Sequence, residues 1–109
     1  MPSYTINTWL DGANKIQVGT EEVDAEAGTD VITWVATPSD ASWKFVGITF
    51  GSHGAGTSLT VDSIQDHTLT VTDVDSVSST ETISYTLYVT DGGTTYDSDP
   101  FIVNRPPPG

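Results

Sequence analysis

The sequence predicts an all-β fold, an antiparallel Greek-key β-sandwich of about seven or eight strands, and three observations carry that expectation. From Ile83 to Val89 apolar and polar residues alternate strictly, and Asp91-Gly92-Gly93 follows before a second β-prone run from Thr94. Such alternation marks a strand with one dry face, and Asp-Gly-Gly supplies the positive φ angles of a short hairpin loop. Thr, Val and Ser are abundant and no run has a long helical period. Strand candidates recur at spacings of roughly 8 to 14 residues, and no internal repeat is present.

In chain order, Tyr4, Ile6, Thr8 and Leu10 share one face of a first strand, opposite Thr5, Asn7 and Trp9. Asp11-Gly12-Ala13-Asn14 then turns into Lys15-Ile16-Gln17-Val18. The segment 21–28, EEVDAEAG, has too short an apolar stripe for a packed helix and is read as an acidic edge strand or loop. Val31, Ile32, Trp34, Val35 and Ala36 form a nearly continuous apolar run, suited to a central strand, which Pro38-Ser39-Asp40 ends. In the next strand Val46, Ile48 and Phe50 are expected on one face and Trp43, Phe45 and Thr49 on the other, with Gly47 marking a bulge or close approach. These two strands are expected to form the heart of the core.

Gly51, Gly54 and Gly56 make the following segment the least restrained by composition. Short strands are expected around Leu59 to Val61 and from His67 to Val74, the latter with Leu69 and Val71 inward and Thr68, Thr70 and Thr72 outward. After the closing hairpin, Pro100 interrupts the last strand, because it cannot donate to a ladder. Residues 1–104 are expected to form one domain and 105–109 an extended proline-rich tail.

The segment Tyr85-x-Leu87-x-Val89, with Trp34 and Trp43 upstream, resembles the penultimate strand of immunoglobulin-like sandwiches, where a Tyr anchors a corner; Leu87 stands where antibody domains carry a cysteine. The ending, Asp91-Gly92-Gly93-Thr94-Thr95-Tyr96 and then Ser98-Asp99-Pro100-Phe101-Ile102-Val103-Asn104, is similar to that of the small bacterial DP-EP proteins, with Phe101 where their motif carries Glu. The resemblance implies an immunoglobulin-like sandwich and supplies no activity.

Charge narrows function. Fifteen acidic residues stand against three basic ones, Lys15, Lys44 and Arg105, for a formal net charge of −12. Phosphate backbones and anionic membranes are bound through clustered Lys and Arg, so neither nucleic acid nor membrane is expected as a partner. The chain has no Cys, hence no disulfide or thiolate chemistry. Met1-Pro2-Ser3-Tyr4 leads straight into a β-prone stretch without the features of a secretory signal, which predicts a cytoplasmic chain, or a surface or exported one if it is a fragment of a larger protein.

Several constellations bear on chemistry. The pairs Asp73/Asp75 and Asp97/Asp99 each place two carboxylates on one side of an extended chain, a start towards the six to eight oxygens of a calcium site. Trp9, Tyr88 and Tyr96 fall opposite or beyond the expected core face, as in carbohydrate platforms, although outer-face aromatics more often cover a neighbouring strand. His53 and His67 are the residues that could serve as general bases, yet no nucleophile elbow, metalloprotease helix or P-loop accompanies them. Gly51-Ser52-His53-Gly54 has the look of a phosphate cradle without a following basic residue. The sequence therefore predicts no enzyme and no cofactor. It points to a structural or protein-interaction module that meets itself or another protein through an edge strand or outer sheet face, with a calcium- or carbohydrate-binding module as the alternative.

Overall fold

The computed structural model describes residues 3–12, 15–19, 22–25, 27–38, 40–77, 79–98 and 101–104. They form two packed sheets, without a helix among the described residues. The first sheet has the order β2-β1-β4-β7-β6, where β1 is Ser3–Leu10, β2 Ile16–Val18, β4 Gly28–Ala36, β6 Thr57–Ile64 and β7 Thr68–Asp75. The second has the order β3-β10-β8-β5, where β3 is Glu22–Ala25, β5 Lys44–Phe50, β8 Glu81–Asp91 and β10 Phe101–Asn104. The remaining strand, β9 (Thr94–Ser98), also pairs with β8.

The described residues form ten segments, in keeping with the seven or eight strands of the sequence pattern once the short β2 and β3 and the divided last strand are allowed for. β9 and β10 pair with successive stretches of β8, Leu87–Asp91 and Glu81–Ser84, on either side of the Asp99-Pro100 dipeptide. Pro100 itself, Asn14 in the first turn and the tail 105–109 lie outside the described residues. The acidic segment 21–28 supplies the edge strand β3, as its composition suggests.

The chain passes from β4 to β5 in the other sheet, back to β6, and from β7 across to β8, while β4 pairs with β7. That is a Greek-key crossing. Pairing is antiparallel except between β1 and β4 and between β3 and β10, which are parallel. Parallel neighbours need a long connection, and the detour through β2 and β3 provides the one between β1 and β4.

Alternation places the core. Ile32 and Trp34 on β4, Leu69 and Val71 on β7, and Ile83, Tyr85, Leu87 and Val89 on β8 are buried and belong to one cluster, joined by Ile6, Trp43, Phe45 and Ile102. Each such side chain contributes about 1.5–3 kcal/mol through burial. The two sheets meet most specifically where the Trp34 indole donates from Nε1 to the Tyr85 hydroxyl at 3.0 Å, with the rings edge to face at 5.1 Å. Tyr85 thus spends its hydroxyl on an indole across the sandwich, where the immunoglobulin resemblance implies a corner. The hairpin loop is as expected, with φ of 59° at Gly92 and 88° at Gly93.

β5 departs from expectation twice. Among the described residues it pairs with β8 alone and lies at a sheet edge, so the core is centred on β4 and β8. A bulge between Phe45 and Gly47 also inverts the strand's phase: Phe45 opposes Val89, whereas Ile48 and Phe50 oppose Leu87 and Tyr85. All three therefore face the core side, and Val46 is left 49% exposed.

The glycine-rich segment 51–56 is not loose. Gly51 N–H donates to Ser84 O at 2.7 Å, and Gly56 O accepts from Ser76 N–H at 2.7 Å. A Cβ on Gly56 would lie 3.0 Å from Val77 Cα, so glycine here allows two backbones to touch. Gly56→Ala is expected to cost about 1–3 kcal/mol in urea unfolding, through overpacking against backbone. A change below about 0.5 kcal/mol would mean that the contact is loose.

Candidate functional site

Asp73 and Asp75 point inward from β7, in phase with Leu69 and Val71. Asp73 stands directly opposite Asp30 of β4, and Asp75 opposite Gly28; all three acids are buried. Asp75 Oδ1 accepts from Val77 N–H at 3.1 Å. The acids follow the rows of two strands, and among the described residues no group of three acidic, His or Cys side chains has a geometry that could hold a metal ion. Asp97 is exposed on β9, and Asp99 lies outside the described residues.

The aromatic residues do not assemble into a platform. Trp9, on the outer face of the first sheet, lies beside Gly19 and is 38% exposed. Tyr88 is on the outer face of the second sheet, where its hydroxyl lies 3.4 Å from Thr49 Oγ1. Tyr96 opposes the buried Val89 and packs against the core, contrary to the outward placement expected from sequence.

The loop that resembles a phosphate cradle already holds an anion of its own. Glu81, at the start of β8, accepts from Gly54 N–H through Oε2 at 2.7 Å and from the Thr57 hydroxyl through Oε1 at 2.6 Å. This carboxylate clasps the loop and ties β6 to the opposite sheet. The Thr57 hydrogen bond, then the Gly54 amide, and more weakly the nearby His53 hold its pKa below the ordinary glutamate value. A lowered folded-state pKa stabilises the fold above the unfolded value and withdraws that stability as pH falls through the folded one. Melting temperature is therefore expected to drop on acidification below about pH 4.5, and to drop less in Glu81→Gln. An identical acid limb in the variant would contradict the clasp. His53 is exposed, with Nδ1 3.4 Å from Gly54 O, whereas His67 is half-buried with Nε2 2.8 Å from Ala41 O.

Sequence reasoning left the long open edge of β6 unnamed. Among the described residues the edge strands are β2 and β6 in the first sheet, and β3, β5 and β9 in the second, β9 pairing with β8 alone. β2 has three residues, β3 four, β9 five and β5 seven, whereas β6 has eight; β5 and β6 each carry one bulge. The backbone phase of β6 follows from two bonds flanking its ladder, Ser76 N–H to Gly56 O at 2.7 Å and Gln65 N–H to Thr68 O at 2.8 Å. They make Thr57 and Ile64 members of pairs that do not exchange hydrogen bonds directly, and the same phase covers Leu59 and Val61. Ser58 and Thr60 turn their N–H and C=O groups to β7; Leu59, Val61 and Ile64 turn theirs outward. Among the described residues β6 pairs with β7 alone.

Side chains reinforce that picture. Val61 and Ile64 oppose the buried Val71 and Leu69, so they lie on the core side of the sheet, yet they are 39% and 44% exposed. Along this flank apolar side chains and outward-turned backbone groups lie side by side, and Phe45 N–H donates to Asp66 O at 2.9 Å, joining β5 to the β6–β7 turn. A bulge between Val61 and Ser63 sets Asp62 out of register, and its Oδ2 accepts from the Thr72 hydroxyl. Bulges and charges of this kind limit indiscriminate edge pairing. The arrangement leaves room for one more strand along β6.

No family model matches the chain, and no curated protein matches it at a significant level.

Proposed function

We propose that the chain is a non-enzymatic interaction module, an immunoglobulin-like sandwich that engages a partner by accepting an extended strand along β6. The single observation that carries this reading is the coincidence, on one edge, of outward backbone groups at Leu59, Val61 and Ile64 with the exposed apolar side chains of Val61 and Ile64. Strand addition uses both features: main-chain bonds give affinity, and alternate side chains give selectivity. The immunoglobulin-like reading is supported by the partition of β1, β4, β7 and β6 into one sheet and β5, β8, the divided β9/β10 strand and β3 into the other. The likeness to the DP-EP proteins rests on the closing hairpin and leaves the partner open.

An array of ten-residue extended peptides of varied composition tests the reading. At least one peptide is expected to bind and to slow amide exchange at Leu59 and Val61. Binding confined to other surfaces, or none across the array, would sink it.

A further inference from the structure

The charge around this edge identifies the kind of strand it takes. Resting on the strand-addition reading, we infer that the partner segment alternates apolar with basic residues, and that it is not a second copy of this chain. On the core side, the added strand would lay apolar side chains over Leu59, Val61 and Ile64, which face the same way as the buried Asp73, Val71 and Leu69 of β7. On the other side its residues would stand beside Ser58, Thr60 and the exposed Asp62.

The charges near this flank are mainly acidic. Asp62 and Asp66 are exposed, and the one neighbouring cation among the described residues, Lys44, is paired with Asp66 at 3.6 Å. Lys15 follows the turn into β2, at the far edge of the same sheet. A segment carrying Lys or Arg on its polar side meets a complementary field, which raises the association rate and rejects acidic competitors. A second copy brings a formal charge of −12 to a surface of the same sign.

Three synthetic ten-residue peptides test this: alternating valine and lysine, alternating valine and glutamate, and alternating serine and lysine. Each is titrated into ¹⁵N-labelled protein at low and at near-physiological salt, and amide exchange is read residue by residue. The valine–lysine peptide is expected to slow exchange at Leu59 and Val61 at least about tenfold, and to bind more weakly as salt rises. The valine–glutamate peptide should bind at least about tenfold more weakly, and Asp62→Lys should reverse that preference. Little protection by the serine–lysine peptide is expected, because it offers charge without apolar cover.

Equal protection by the valine–glutamate peptide, or by unlabelled copies of the chain itself, would overturn the basic-partner inference while leaving strand addition intact. Equal protection by the serine–lysine peptide would overturn the alternating pattern. Failure of every peptide to protect β6, or shifts centred on another surface, would overturn strand addition as well. The overturning outcomes are all read on the unaltered chain, so none of them depends on the folding of Asp62→Lys.

Discussion

Trp34→Ala is expected to cost about 3–5 kcal/mol in equilibrium unfolding. Domains of this size hold roughly 5–15 kcal/mol in total, so the variant should be marginal at physiological temperature. The size of the effect has two sources. Trp34 is fully buried at the middle of the core and packs edge to face on Tyr85, so truncation opens a large cavity between the sheets. It also removes the donor to the Tyr85 hydroxyl, a group whose pKa burial pushes well above the ordinary tyrosine value, so that it stays protonated. Tyr85→Phe separates the two sources: it keeps most of the ring packing, strands the indole N–H, and should cost about 1–3 kcal/mol. No loss in Tyr85→Phe would show that the 3.0 Å bond contributes nothing to holding the sheets together.

Proline substitutions at adjacent residues of β6 are expected to differ sharply. Thr60 opposes Thr72 in a pair that exchanges hydrogen bonds, so Thr60→Pro removes a ladder donor and leaves its acceptor unsatisfied. The hydrogen bond alone should account for about 1–3 kcal/mol, before any ring clash. Val61 turns its N–H outward, and Val61→Pro should cost about 1 kcal/mol or less while erasing one bond available to an incoming strand. Binding and stability therefore separate in opposite directions at neighbouring positions. Equal destabilisation by the two prolines would mean that the backbone phase assigned to β6 is wrong.

Period-2 patterning makes much of this fold legible from sequence. The row Ile83, Tyr85, Leu87 and Val89, the inward pair Leu69 and Val71, and the Gly92-Gly93 turn all follow from local rules, and the structure agrees with each. What local rules miss is set by distant partners. The extra residue at Val46 inverts the phase of β5, and only pairing with β8 reveals it. Whether β5 lies at a centre or an edge is likewise a property of the sheet, since an apolar strand can occupy either place. The inward placement of Asp73 and Asp75 could have been found by extending the alternation of Leu69 and Val71 to the strand's end; a rule that expects polar residues outward conceals it.

The candidate site was legible only in part. Edge strands are expected of any sandwich, but β6 looks unremarkable as sequence: Thr57, Ser58, Thr60 and Ser63 dilute its apolar residues. Its openness depends on the absence of a second pairing strand among the described residues, and on the direction of backbone groups that no side chain announces. The glycine segment before it misled for a similar reason. Glycine allows both freedom and close contact, and only Ser84, Val77 and Glu81, all distant in sequence, decide between them.

Residue-resolved amide exchange of the free protein at low concentration tests the central claim most directly. An open β6 predicts a two-residue alternation, with Leu59 and Val61 exchanging orders of magnitude faster than Ser58 and Thr60, whose amides face β7. Uniform protection from Ser58 to Val61 in dilute solution would contradict it, because the edge would then already be occupied or covered.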